Sequence, residues 1–261
     1  MLKNFFIRLK IKRMISFGIS STGGRNFLGR ICVHHKGNGN KRIYKFLDFF
    51  RRLNCFGIIV NIWKDSFRSG YIACVFYQNG LISNIIATEL VGLGKTIFSG
   101  DILINNKCFN LGSAIPLKDI TLFTVISNIE MFPLSHSILS RAAGVGSILI
   151  GLNTKQALLK LKSGWQLSVD NYSLATIGFV SNCKHKYIII RKAGMNRNLG
   201  IRPTVRGVAK NPCDHPHGGG EGKKSPPSAQ MSPWGKFTKG TPTKNKQIDR
   251  INRRLFKKFL S

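Results

Sequence analysis

Positive charge is concentrated at the two ends of this chain. Residues 1–60 carry 13 basic and 1 acidic side chains, residues 61–180 carry 9 and 6, and residues 181–261 carry 19 and 3. The three nets, +12, +3 and +16, account for the whole formal charge of +31. A near-neutral centre between two strongly basic arms restricts the fold: the centre has to supply the core, and the arms have to meet a polyanion. Apolar residues still make up 43% of the 261 positions, so a folded body is expected rather than a disordered basic tail. Charge kept only for solubility would need a net magnitude of about 2–8. Attraction to a membrane surface would call for one amphipathic basic helix, not two unlike arms. No apolar run reaches the roughly 18 residues of a membrane span. The six cysteines contain no CxxC pair, which points away from a zinc ribbon or a disulfide framework and toward a reducing compartment.

The centre reads as short strands punctuated by turns. YIACVFY (71–77), Gln78-Asn79-Gly80 and LISNIIA (81–87) make two apolar runs around an Asn-Gly turn, the strongest local hairpin signal. Further short strands are expected within 122–129, 147–152, 157–161, 165–169 and 187–190, with Ser163-Gly164 as a tight connection. Closely spaced short strands suggest small barrels, and their grouping permits two, over residues 35–118 and 119–192. The fold class expected is therefore all-β, with a basic N-terminal extension (1–34) and a Gly/Pro-rich basic C-terminal extension (193–261).

Seven of the nine prolines and eight glycines fall within residues 200–242, where large apolar side chains are few. Such a stretch cannot build its own core and is expected to become ordered against a partner. Ile251, Leu255 and Phe259 recur on a helical period among Arg253, Arg254, Lys257 and Lys258, which suggests a short basic helix over 248–260. The chain favours residues of A/T-rich codons, including 18 Phe, as an organellar gene would. Its basic, acid-free first 19 residues read either as a mitochondrial transit peptide or as a retained RNA-binding tail.

Three stretches could carry chemistry. Gly92-Leu93-Gly94-Lys95-Thr96 looks like the end of a phosphate-binding loop, but Glu89 stands where the first glycine is required and no helical pattern follows; a turn between strands is expected instead. Cys213-Asp214-His215-Pro216-His217 gathers four metal-ligand types in five residues, but no partner at usual spacing completes a tetrahedral site, and neither histidine has a visible orienting group for acid/base work. Contact with RNA is the favoured reading, with imidazoles stacking on bases and Gly218, Gly219 and Gly220 allowing close backbone approach. In residues 20–52, glycines 23, 24, 29, 37 and 39 alternate with Arg25, Arg30, Lys36, Lys41 and Arg42, which a mobile linker would not need. RNA is favoured over DNA because no DNA-reading motif spacing is present.

GIRPTVRGVAKNPCDHPHGGGEG (200–222) and SPWGKFTKG (232–240) closely resemble the C-terminal signature of the bacterial-type large-subunit ribosomal protein two family, and residues 20–52 resemble its N-terminal signature. The resemblance extends over about residues 20–246. Departures are Asn38 and Asn40 in a run that is commonly Gly-Gly-Gly-His-Lys, Lys210 and Cys213 at usually apolar positions, and a Ser/Pro-rich stretch at 225–230.

The resemblance implies an oligonucleotide-binding-fold-like barrel, then an SH3-like barrel, with extensions that penetrate ribosomal RNA. It implies a structural role in subunit assembly and association, with the C-terminal arm near the peptidyl-transferase region and the RNA performing the chemistry. The expected RNA-binding residues are Arg25, Arg30, Lys36, Lys41, Arg42, Arg197, Arg202, Arg206, Lys210, His215, His217, Gly218, Gly219, Gly220, Lys223, Trp234, Lys236 and Lys239. Expected partners are large-subunit ribosomal RNA, neighbouring ribosomal proteins and the small subunit at the interface, in a mitochondrial matrix ribosome. No intrinsic cofactor and no catalytic residue is expected, any magnesium being associated with the RNA. Two rival readings are an enzyme using His215, Asp214 and a metal, and a general nucleic-acid chaperone or DNA-packaging protein.

Overall fold

The computed structural model describes residues 15–101, 110–221 and 229–241, and the backbone of 256–258. The strands, in chain order, are β1 Ser16–Ile19, β2 Arg42–Lys45, β3 Cys55–Trp63, β4 Ile72–Tyr77, β5 Ile82–Ile86, β6 Thr96–Ser99, β7 Ala114–Pro116, β8 Val125–Ser127, β9 Ile129–Glu130, β10 Ser137–Leu139, β11 Ser147–Leu152, β12 Gln156–Lys160, β13 Trp165–Asp170, β14 Leu174–Ile177 and β15 Phe256–Lys258. The described residues hold one short α-helix, α1 Ala193–Asn198. The protein is thus all-β, as its punctuated apolar runs indicate.

The chain forms two compact units. The first takes in the described residues through Ser20, Lys41–Ile189 and β15; the second takes in Ser21–Asn40 and the described residues from Ile190 to Thr241. In the first unit, eleven strands follow the order β15-β13-β12-β11-β8-β14-β7-β6-β3-β4-β5, with β1-β2 and β9-β10 as separate antiparallel pairs. The β4–β5 hairpin forms as expected. Gly80 sits at φ 81°, and the Tyr77 amide donates to Leu81 O at 2.9 Å across the turn. Gly164 closes the β12–β13 turn in the same way, at φ 87°.

Two hydrophobic clusters fill the first unit. One contains Ile59, Val75, Tyr77, Ile85 and Ile97; the other contains Phe98, Ile115, Leu117, Ile126, Ile129, Leu149, Leu159 and Leu167. Successive side chains of a strand point to opposite faces, so Ile97 and Phe98, neighbours on β6, enter different cores. β6 is therefore a shared wall, and deleting the wholly buried Phe98 side chain would cost about 3–5 kcal/mol.

Arg51 and Arg52 tie these β elements together. Arg51 is buried and donates from Nε and Nη2 to Ser99 Oγ, from Nη1 to Gly112 O and Thr176 Oγ1, and from Nη2 to Phe98 O. Burial pulls its pKa down, and its hydrogen-bond acceptors are neutral oxygens. Arg52 pairs with Asp101 and Glu130.

Two expected elements differ. Residues 187–190 are not a strand: a 3-10 turn, Cys183–Tyr187, precedes them, and Tyr187, Ile188 and Ile189 are exposed. An apolar run forms a strand only where a neighbouring strand satisfies its backbone, and among the described residues none pairs here. At the C-terminus, 256–258 is the strand β15 paired with Trp165–Leu167, not helix; the rest of 248–260 lies outside the described residues. The opening segment contributes β1 to the framework, in register with β2 from Ser16↔Lys45 to Ile19↔Arg42.

Candidate nucleic-acid interface

Within the second unit, segments about 160 positions apart are joined through their backbones. The Gly37 amide donates to Gly200 O at 2.7 Å, Asn40 N to Asn198 O at 2.9 Å and Arg202 N to His35 O at 2.8 Å, while Lys36 and Ile201 form an antiparallel bridge. Gly39 makes this possible. It sits at φ 63°, and a Cβ there would lie 2.8 Å from both Asn198 O and Gly200 N, so no side chain fits. Asn38 and Asn40, the departures from the family pattern, therefore stand in a packed seam.

This seam encloses a cavity of about 350 Å³ lined by Gly23, Arg25, Lys36, Gly37, Asn38, Gly39, Arg197 and Arg202. Four cations thus converge, two from each segment. Every ion pair among the described residues lies in the first unit, so these four have no carboxylate partner there. An open cavity ringed by four cations that have no carboxylate partner among the described residues suits phosphodiester groups, because guanidiniums offer paired donors to phosphate oxygens.

The rest of the arm folds locally. The His217 amide donates to His215 Nδ1 at 3.0 Å, and Gly218 N and Gly219 N donate to His215 O and Lys210 O at 2.8 and 3.1 Å. Gly207 lies against the His215 ring: a Cβ on it would sit 2.6 Å from Cε1 and Nδ1. His215, only 8% exposed, is thus an internal pin of the loop, and burial, followed by nearby His217 and Lys210, pulls its pKa down. The rings of His215 and His217 lie 4.9 Å apart. His217 is half-buried, and its Nε2 accepts from the Met231 amide at 3.2 Å. Gly218 and Gly219 close the loop, whereas Gly220 faces open space. Farther on, a turn in which Ser232 N donates to Lys236 O at 2.8 Å presents Trp234, 77% exposed.

Arg25, Arg30, Lys36, Arg197, Arg202, Arg206, Lys236 and Lys239 are exposed in the second unit, and Lys210 is half-buried. Lys41 and Arg42 belong to the first unit, Arg42 lying over the Phe67 ring at 4.7 Å. Lys223 lies outside the described residues. Among the described residues no three His, Cys, Asp or Glu side chains converge to hold a metal, so Asp214, His215 and His217 do not form such a group. Gly92–Thr96 is a turn leading into β6, with Gly94 N bonded to Ile59 O at 2.8 Å and no helix following.

The sequence reading singled out Arg25, Arg30, Lys36, Lys41 and Arg42 within residues 20–52 and gave no role to Arg51 and Arg52, which turn inward as framework ties. A cation's type does not show which way it points. The only available signal was adjacency to the apolar strand that begins at Cys55.

Comparison with known proteins agrees with this arrangement. A family model described as "Ribosomal Proteins L2, RNA binding N-terminal domain" matches residues 12–99, and one described as "Ribosomal Proteins L2, C-terminal domain" matches residues 110–235. Proteins named "Large ribosomal subunit protein uL2" are similar over nearly their whole length. That of Orientia tsutsugamushi is 42% identical over 241 residues, covering 92% of this chain and 87% of its own. That of Hyphomonas neptunium is 42% identical, covering 92% and 86%. That of a Wolbachia species is 42% identical over 254 residues, covering 95% and 90%. With family models and relatives both spanning the strand framework and the cation-lined seam, the chain belongs to the ribosomal protein L2 family of the large ribosomal subunit.

Proposed function

We propose that this chain is a structural RNA-binding component of the large subunit of a mitochondrial ribosome, where it supports subunit assembly and association and buttresses the peptidyl-transferase region. The observation that carries the reading is the cavity ringed by Arg25, Lys36, Arg197 and Arg202, whose cations lack carboxylate partners among the described residues. Two chain segments must come together to build it, which suits a protein whose arms become ordered on RNA. The two cores of the first unit would correspond to an oligonucleotide-binding-fold-like and an SH3-like domain. The mitochondrial assignment rests on the A/T-rich codon bias and the basic, acid-free opening. Lys41, Arg42, Arg206, Lys210, Lys223, Trp234, Lys236 and Lys239 would extend the RNA contact beyond the cavity. His215 would position the arm, the bond-forming chemistry belonging to the RNA.

Sedimentation of a mitochondrial lysate with and without ribonuclease tests this. Migration with the large subunit, lost on ribonuclease treatment, is expected. Migration as a small free species in both gradients would overturn the reading.

A further inference from the structure

The β1–β2 pair carries an aromatic surface that the phosphate-binding reading does not use. Phe17 and Tyr44 are register partners, their ring centroids 5.5 Å apart; Phe46 lies 5.1 Å from Phe17, and Phe67 lies 5.5 Å from Tyr44. The four rings form one connected group, and Phe17, Phe46 and Phe67 are exposed. Exposed aromatic clusters of this kind cost solvation unless something covers them.

The surrounding charge indicates what does. Arg42 lies over Phe67 at 4.7 Å and Arg68 over Tyr44 at 5.9 Å. The neighbouring carboxylate, Asp65, is buried and already bonded to Lys45 and Arg68. That leaves Lys41, Arg42 and Lys64 without an ion-pair partner among the described residues. Rings set among uncompensated cations match nucleotides, which offer a flat apolar face and an anionic backbone together. An apolar protein surface would match the rings but leave these cations unanswered.

We propose that Phe17, Tyr44, Phe46 and Phe67, with Arg42, form a stacking platform for unpaired bases of RNA. This rests on the reading of the chain as an RNA-binding protein and adds a contact of different chemistry: the cavity takes phosphates, the platform takes bases. Such stacking tolerates any base, so the platform would hold a splayed loop without reading its sequence.

The test uses full-length protein with two probes of equal length and charge, a single-stranded oligouridylate and its abasic counterpart. Ultraviolet crosslinking of the oligouridylate, followed by peptide mapping, locates the contact. Crosslinks are expected at residues 16–19, 44–46 or 67. Phe46→Ala and Phe67→Ala should each weaken oligouridylate binding about 5- to 150-fold while leaving the abasic probe unaffected. Phe46→Leu, which keeps the apolar volume, should lose most of the same preference with the fold intact by circular dichroism. Equal binding of both probes by the variants and the unsubstituted protein, with crosslinks only elsewhere, would overturn the platform and leave the surface to a protein neighbour. If the platform variants are silent but Arg25→Ala and Arg202→Ala still weaken binding, this inference alone fails. Absence of RNA binding by the unsubstituted protein would overturn the parent reading and this one together.

Discussion

Arg52 Nη2 donates to Glu130 Oε2 at 2.7 Å, tying the loop before β3 to β9 across 78 positions of sequence. The same carboxylate oxygen accepts the Leu174 amide at 3.1 Å, so one acid joins three segments of the first unit. Breaking such a junction leaves a buried amide unpaired. Glu130→Ala should therefore cost about 1–3 kcal/mol of stability, read as a lowered denaturation midpoint. Burial outweighs these partners and holds the Glu130 carboxyl above the usual range. The native state thus keeps its proton to higher pH than the unfolded chain, so this group's contribution to stability falls as pH rises through its native pKa. Glu130→Gln should flatten that part of the stability–pH curve; an unchanged curve would show that Glu130 does not titrate there.

Arg51, one residue earlier, acts inside the β framework. Its guanidinium gives five hydrogen bonds to Ser99, Gly112, Thr176 and Phe98, a fork that an ammonium group cannot reproduce. Arg51→Lys should destabilise the fold by about 1–3 kcal/mol, with the RNA affinity of the folded fraction unchanged. Denaturant melts beside filter binding separate the two quantities. An affinity loss without a stability loss would put Arg51 on the RNA face after all.

Gly39→Ala should open the seam of the second unit. The added Cβ would meet Asn198 O and the Gly200 backbone at about 3 Å on a residue already at φ 63°. Faster amide exchange at Gly37, Asn40 and Arg202, whose N–H groups close the seam, is expected while the strands of the first unit keep their protection. Uniform exchange across both units would instead mean global unfolding.

How much of this was legible in the chain depends on the range of the interaction. The Asn79-Gly80 hairpin could be read directly, because turn and strands lie within 17 residues and share one pattern. β3 was harder: Gly57 weakens its strand signal, and its register shifts between Ile59 and Asn61, so its alternation breaks midway. Residues 187–190 had the composition of a strand but no partner strand among the described residues. The seam between residues 35–40 and 198–202 left no periodic trace, since it is a backbone pairing of Gly- and Asn-rich segments. That cations of the two arms line one cavity could therefore not be read from their positions in sequence.

The cavity makes a joint prediction for two of those cations. Arg25 and Arg202 come from different segments and line the same space, so each should hold phosphate through a separate charge. Arg25→Ala and Arg202→Ala should each flatten the log–log salt dependence of ribosomal RNA binding by about 0.7–0.9. Arg206 is exposed on the same arm, and Arg206→Ala should act in the same way. A slope that stays put would mean that the replaced arginine does not touch phosphate.

The final prediction concerns the loop pinned by His215. Its Nδ1 accepts the His217 amide and its ring lies against Gly207, an arrangement that requires an unprotonated Nδ1. Burial and the neighbouring His217 and Lys210 lower its pKa from the ordinary 6.5. For a base whose native pKa is depressed, the stabilising contribution is complete above the unfolded pKa and is lost as pH falls through the native one. The loop should accordingly hold its structure at neutral pH and loosen on acidification below 6.5, with faster exchange at the His217, Gly218 and Gly219 amides. His215→Gln should loosen the loop already at neutral pH and remove most of the pH dependence. Gly207→Ala, which drives a methyl group into the ring, should loosen it while leaving a titrating histidine in place. If His215→Gln keeps the full acid transition, His215 acts through packing alone.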